Sequence, residues 1–154
     1  VSPELLRRIY FPSLKHSLQP LVEAQVTVIW HSDGNIVPLF QDLIDCGVRG
    51  FQGFQEETGV QLEDLPRLSL PSGKKPALWG SISVTRTLPF GTVEDVKKEV
   101  ERCIDTLAPG GGYFLGTANT VGPEVPFDNL IALYEHAQEY GKGDGRDNGD
   151  RCWR

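Results

Sequence analysis

Four short apolar runs set the pattern of this chain, and each is followed by a polar loop and then by helical spacing. The runs occupy positions 26–30, 48–54, 77–82 and 113–116. The first run is uninterrupted, and we expect all four to form strands that are buried on both faces. Successive strand–helix units predict one parallel sheet with right-handed crossovers.

Helix signals lie around these runs. Ser2 offers a capping hydroxyl, Pro3 and Glu4 suit a first helical turn, and Pro12 and Pro20 predict a kink and an early end. Further helices are predicted at about 36–46 before Gly47, weakly at 63–65, at 92–107 behind the cap Thr92, and at about 126–141. The segment 66–76 has no regular pattern.

Four such units make only one side of a closed cylinder. An open half barrel has exposed sheet edges, so we expect a missing N-terminal half, or self-association, to cover them. The start at Val1 and the absence of methionine agree with a fragment of a longer protein. We place the partial barrel at 1–141 and predict a disordered Gly/Asp-rich tail at 142–154.

Charge and cysteine content narrow the class of partner. A net charge of −6 and the lack of a basic cluster argue against nucleic acid. No run approaches the roughly 20 apolar residues of a membrane span. Cys46, Cys103 and Cys152 have no zinc-cluster spacing, and we expect reduced thiols in a cytoplasmic protein, with Cys46 and Cys103 as small core residues. A small-molecule substrate is the remaining expectation.

Candidate chemistry lies on the loops that follow the strands, since the working residues of (β/α)₈ barrels lie there. His31 and Asp33, two positions apart, can share a ligand and are weak metal candidates. The alternative is that Asp33, Gly34 and Asn35 form only a turn in which Asp33 accepts backbone N–H bonds. Glu56 and Glu57 are adjacent, so either one of them faces the site or both are solvated loop charges.

Four segments in order carry a resemblance to a known family. They are 31–35 (HSDGN), 78–82 (LWGSI), 107–113 (LAPGGGY) and 123–130 (PEVPFDNL). Together they resemble the second half of the uroporphyrinogen decarboxylase superfamily, which also includes the methylcobamide:coenzyme M methyltransferases. The resemblance covers about 2–141. It implies an α/β fold, the C-terminal half of a (β/α)₈ TIM barrel.

The two branches imply different sites. In the methyltransferases a His-x-Cys loop and a later cysteine hold zinc; His31 matches, but Asp33 and Asn119 stand at the cysteine positions. Losing both thiolates removes the soft zinc ligands and disfavours thiol methylation. In the decarboxylases, which use no metal or cofactor, a substrate-contacting histidine stands where this chain has Asn119.

The resemblance therefore implies a carboxy-lyase of porphyrin-biosynthesis type, acting on a carboxylated tetrapyrrole or a similar anionic substrate without a cofactor. A corrinoid-dependent methyltransferase-like protein with a non-thiolate site, and a non-catalytic half barrel, remain the alternatives. We expect these 154 residues to be inactive alone, because catalysis needs groups from several strand ends held in register. The predicted catalytic residues are His31, Asp33 and Asn119, and the predicted substrate-binding residues are Asn35, Gln55, Glu57, Ser81, Ser83 and Arg86.

Overall fold

One parallel sheet of four strands organises residues 2–142, the part of the chain that the computed structural model describes. The strands are β1 (Val28–Ser32), β2 (Val48–Gly53), β3 (Ala77–Ile82) and β4 (Tyr113–Thr117). They lie in the order β1-β2-β3-β4, and every neighbouring pair is parallel. The predicted half barrel of strand–helix units is confirmed, and β1 begins two positions later than expected.

The N-terminal helix does not end early. Ser2 caps α1 (Pro3–Leu5), a π-helical segment follows at Leu6–Tyr10, and α2 continues over Phe11–Glu23. The π-helical segment brings Pro12 into the first turn of α2, where a backbone N–H is not needed. Pro20 lies inside α2, so the predicted stop is wrong. Because proline has no backbone N–H, the carbonyl of His16, four residues earlier, loses its helical hydrogen bond. His16 is exposed, so water can bind this carbonyl instead.

The remaining helices follow the predicted positions closely. They are α3 (Phe40–Asp45), α4 (Thr87–Phe90), α5 (Val93–Leu107) and α6 (Phe127–Lys142), with 3-10 segments at Val37–Leu39, Glu56–Thr58 and Leu62–Arg67. A capping box between Thr92 and Asp95 begins α5, as the cap at Thr92 predicted. The short α4 was not predicted. Lys142 ends α6, so the tail does not begin there; positions 143–154 lie outside the described residues.

The core lies between the sheet and its helices. Trp30, Phe51, Leu78 and Tyr113 share one row of the sheet register and pack into this layer. The ring of Phe51 meets that of Phe40 edge-on at 4.7 Å between centroids. Cys46 and Cys103 are both buried there without a disulfide, which confirms the prediction that they are core residues.

The opposite side of the sheet is open, which corrects the expectation that the strands are buried on both faces. The next register row joins His31, Gln52, Trp79 and Phe114. Trp79 is 46% exposed and Phe114 is 49% exposed. We call this side of the sheet the inner face; it consists of this row together with Ile29 of β1. No described helix packs on it, because four strands supply only half of a barrel's closed interior.

Gly80 fixes the close approach of β2 and β3. Its φ is +131°, and a Cβ there would lie 2.5 Å from the carbonyl oxygen of Gly53. We expect Gly80→Ala to lower the free energy of unfolding by about 2–5 kcal/mol, because it adds backbone strain and a backbone clash. Urea denaturation measures the loss. Gly111→Ala is the control, since Gly111 also has positive φ but has nothing within 4 Å. Equal losses in both variants would show that the contact with Gly53 is unimportant.

The helices of the described range are too short or too polar for a bilayer: none there qualifies as a membrane span.

Candidate functional site

Three predicted catalytic side chains meet at the carboxyl end of the sheet, which we call the rim. His31 Nε2 lies 3.0 Å from Asp33 Oδ1, and the Asn119 amide donates to the same oxygen at 2.6 Å. His31 belongs to β1, and Asn119 follows β4. These strands are the two outer strands of the sheet, so their loops lean toward each other across the inner face. Asp33 is the shared acceptor of this cluster.

The local sequence leaves Asp33 available for this role. Ser32 Oγ accepts the Gly34 N–H at 3.3 Å, and Asn35 Oδ1 accepts the Val37 N–H at 3.1 Å. Ser32 and Asn35 therefore accept the backbone N–H bonds of the turn, as the turn interpretation expected of Asp33. Asp33 instead contacts the side chains of His31 and Asn119. Asn35 acts in this turn, and no contact brings it into the cluster.

The Asn119 amide is fixed in orientation. Its Oδ1 accepts the Thr120 N–H at 2.6 Å, and its backbone carbonyl accepts the Thr117 hydroxyl at 2.7 Å. The Nδ2 group is thus left to point at Asp33, since the oxygen end is already occupied. Asn119 consequently holds the carboxylate in place for His31.

The cluster suits proton transfer at a half-exposed rim. The His31 and Asp33 side chains are each about half exposed, so a bound molecule can reach them from the open side. A carboxylate hydrogen-bonded to one imidazole nitrogen orients the ring and stabilises the imidazolium, leaving the other nitrogen to act on a substrate. The arrangement therefore offers an oriented acid or base.

The cluster does not fit the zinc ion that the methyltransferase branch implies. It contains no thiolate, and Asp33 Oδ1 already accepts from two partners. Over positions 2–142, no group of three or more His, Cys, Asp or Glu side chains is placed to hold a metal ion. Asn119 offers its nitrogen, a donor, toward the cluster. We therefore assign no metal-dependent step to these residues.

Three other predicted residues form a separate group beside α5. The Ser83 hydroxyl donates to Glu57, and Arg86 Nε lies 3.8 Å from Glu57 Oε1. Burial opposes ionisation of Glu57, but hydrogen bonds from Ser83 and Thr85 outweigh it and hold the pKa below its ordinary value. Glu56 instead pairs with Arg102. Both acids are thus paired, and both line one cavity of about 230 Å³, which differs from the expectation that only one of them faces a site or that both are solvated loop charges.

The remaining predicted residues have structural partners. Ser81 is buried and donates its hydroxyl to Cys103 Sγ at 3.4 Å, so the expectation that it faces a substrate is wrong. The positive φ of Gly80 just before it disturbs the alternation of side chains along β3 and turns Ser81 toward α5. Gln55 begins the 3-10 turn Glu56–Thr58, and its carbonyl accepts from Thr58.

Gln52 is a rim residue that sequence reasoning missed. Its Nε2 donates to the carbonyls of Thr117 and Ala118 at 3.3 and 3.2 Å, which links β2 to the end of β4 over the inner face. The signal was present: Gln52 is a polar residue in mid-strand, at a position where a strand buried on both faces would be apolar.

A buried thiol and phenol make stability depend on alkaline pH. Burial raises the pKa of Cys103 to about 11 from 9.0, and burial also raises the pKa of Tyr113. Between pH 9 and 11 the unfolded chain therefore holds fewer protons than the folded chain. We expect the free energy of unfolding to fall with rising pH, by about 1.4 kcal/mol per pH unit for each such proton.

Urea unfolding at several pH values measures this slope. Cys103→Ser should make it shallower, because serine does not ionise in this range. An unchanged slope in that variant would assign the effect to other groups.

Comparisons with known proteins identify the family of the chain. The sequence model described as "Uroporphyrinogen decarboxylase (URO-D)" matches residues 1–140. A solved structure, a methyltransferase from Methanosarcina mazei, is similar in fold, with a TM-score of 0.67 and 23% identity over 92% of this chain. The chain spans 38% of that structure's length. Among curated proteins no match was found. The matched segment is nearly the whole of the present sequence, and the chain belongs to the uroporphyrinogen decarboxylase family.

Proposed function

We propose that this chain supplies the proton donor of a carbon–carbon lyase. The lyase decarboxylates a carboxylated tetrapyrrole or a similar anionic substrate. The observation that carries the proposal is the His31–Asp33 contact at 3.0 Å, at the carboxyl end of β1. In barrels of this type chemistry takes place at that end of the strands. Membership of the decarboxylase family supports the reaction class.

The chemistry needs one proton donor and an electron-accepting ring. The imidazolium of His31 gives a proton to an electron-rich ring carbon next to the carboxymethyl group. The electron pair of the bond to the carboxylate then flows into the cationic ring, and CO₂ leaves. The methylene carbon left by this step takes up a proton from solvent, and the ring carbon returns its added proton to His31, so one proton is consumed for each CO₂ released. Asp33 orients the imidazole of His31 for the transfer through the contact between its Oδ1 and the ring Nε2.

A porphyrinogen decarboxylation assay on the complete barrel tests the proposal. Release of CO₂, with products that have lost carboxyl groups, supports it. Absence of turnover with porphyrinogens and with simpler pyrrole carboxylates overturns it. We expect the present chain alone to show no appreciable turnover, since it carries only half of the strand ends of such a barrel.

Methyl transfer with a corrinoid partner is the second candidate, favoured by the position of His31 near the carboxyl end of β1. Its weakness is chemical, because Asp33 and Asn119 replace the thiolates that activate a thiol acceptor. Metal analysis together with a methylcobalamin assay distinguishes the two candidates. Methyl transfer by a protein without porphyrinogen turnover would favour this second function.

We also propose that a complementary half barrel covers the inner face in the working protein. Trp79 and Phe114 form an exposed apolar row between two open edge strands, a surface that associates in water. The chain alone should therefore self-associate. Size-exclusion chromatography with light scattering measures this, and Trp79→Gln with Phe114→Thr should shift the chain toward monomer. A compact monomer of the unmodified chain would contradict the proposal.

A further inference from the structure

Gln52 has a side-chain amide whose orientation on the inner face is fixed. Its Nε2 donates to the carbonyl oxygens of Thr117 and Ala118 at 3.3 and 3.2 Å. Because a carbonyl oxygen can only accept, the nitrogen end of the amide must face these two groups, and both of its N–H bonds are used there. The oxygen end, Oε1, is therefore held in one direction, away from the end of β4.

The Oε1 atom of Gln52 is an open acceptor. No donor in residues 2–142 reaches it, yet it is not a buried oxygen: among the described side chains, only Glu99 Oε2 combines burial with the lack of a partner. The side chain of Gln52 spans from β2 to β4 over the inner face, on which no described helix packs. This oxygen is consequently accessible from the open side of the sheet.

An aromatic ring lies next to this amide. A Cβ at Gly116 would lie 2.9 Å from Trp79 Nε1 and 3.4 Å from Trp79 Cδ1, so the indole lies directly against the backbone of β4. Gly116 immediately precedes Thr117, whose carbonyl Gln52 binds. The indole and the carboxamide are thus neighbours at the carboxyl end of β4, and Trp79 is 46% exposed.

The proposed proton donor lies on the adjacent strand. His31 and Gln52 are direct partners in the register of β1 and β2, and both belong to the row on the inner face. The side chain of His31 is about half exposed. A molecule that lies on the indole of Trp79 and meets Gln52 therefore comes beside His31 as well.

Two properties define the ligand that fits this place. The Gln52 oxygen is a neutral acceptor, which suits an uncharged N–H group, whereas a cation would be drawn to the carboxylate of Asp33. The indole of Trp79 offers a flat surface, which suits a second ring in an offset stack. A five-membered ring with an N–H in its own plane combines both properties.

We infer that Gln52 is a specificity-determining residue, whose Oε1 accepts the ring N–H of a pyrrole-type substrate that stacks on Trp79. The inference rests on the proposed function in one respect, since it takes this ligand to be the substrate on which His31 acts. It adds the group that the site recognises and the atom that recognises it. Binding at equilibrium tests it separately from turnover.

Titration calorimetry on the complete barrel tests the inference with pyrrole-2-carboxylate and furan-2-carboxylate. The two probes have the same charge and nearly the same shape, but the ring N–H of the first is an oxygen in the second, which cannot donate. We expect pyrrole-2-carboxylate to bind about two- to tenfold more tightly, the range for one neutral hydrogen bond. Equal affinities, or the absence of binding by both probes, would overturn the inference.

Gln52→Met separates recognition from support of the fold. It keeps the length of the side chain but removes the acceptor, so the preference for the pyrrole probe should disappear. Loss of the links to Thr117 and Ala118 alone would weaken both probes by the same factor and leave the preference unchanged; that outcome would overturn the inference. Gln138→Met is the matched control at an exposed position on α6, and it should change neither affinity.

Trp79→Leu tests the stacking surface. It should weaken both probes by about two- to tenfold and keep the preference between them, because the oxygen of Gln52 stays in place. Unchanged affinities would contradict the position of the ligand on Trp79. Far-UV circular dichroism checks that each variant is folded.

The two proposals can fail independently. A complete barrel that prefers the pyrrole probe but releases no CO₂ from porphyrinogens or pyrrole carboxylates would overturn the proposed reaction and support the recognition by Gln52. A barrel that decarboxylates porphyrinogens but binds both probes equally would support the reaction and overturn the recognition.

Discussion

Replacing His31 by glutamine should lower the turnover number of the complete enzyme by about 10²- to 10⁴-fold, the usual contribution of a positioned acid. Glutamine keeps a polar group near Asp33 but cannot hold a transferable proton. Steady-state kinetics of porphyrinogen decarboxylation measures the loss. The Michaelis constant should change much less, because the effect lies in the proton-transfer step.

The control for this experiment is His16→Gln. His16 lies exposed on α2 and is not part of the His31–Asp33–Asn119 cluster, so this variant loses a histidine without changing that cluster. Asp33→Asn should lose activity too, since it weakens the contact that orients the His31 ring. A His31→Gln enzyme with unimpaired turnover would end the assignment of His31 as the acid.

The second large effect concerns folding. Phe51→Ala should lower the free energy of unfolding by about 3–5 kcal/mol, because it empties a site that is wholly buried and in ring contact with Phe40. Domains of ordinary stability have only about 5–15 kcal/mol to lose. Urea denaturation followed by circular dichroism measures the shift of the midpoint.

Phe90→Ala is the matched control, since Phe90 is 82% exposed at the end of α4. It deletes the same atoms from a surface position and should change stability by less than about 0.5 kcal/mol. A Phe51→Ala loss no larger than that of Phe90→Ala would mean that the layer between sheet and helices does not carry the stability.

The fold followed from signals that are local and strong. Positions 77–82 matched β3 residue for residue, and Thr92 capped α5 with Asp95 as its partner. Such signals act through the nearest neighbours along the chain, so they can be read without tertiary information. Pro20 shows where local signals fail. The free-energy cost of a proline inside α2 depends on whether water can reach the freed carbonyl, and the local sequence does not show this.

Burial on the inner face was not predictable in the same way. A run such as 26–30 is typical of a strand that is covered on both sides, and nothing within it tells whether the second cover is part of the same 154 residues. Trp79 and Phe114 are therefore exposed although their pattern is that of a core.

The candidate site was likewise predictable only in part. The rule that chemistry follows the strand ends found His31, Asp33 and Asn119, and the structure brings these three together. It also selected Ser81, which the unusual backbone of Gly80 turns inward.

The hydrogen bond from Asn119 to Asp33 has a consequence for the shape of the rim. It joins loops from the two outermost strands, which in a flat sheet would stand about 14 Å apart at ordinary strand spacing, so it acts as a clasp that keeps the sheet curled. The same carboxylate orients His31. A ligand that draws Asp33 toward itself would loosen the clasp, widen the mouth and reposition the imidazole in a single movement.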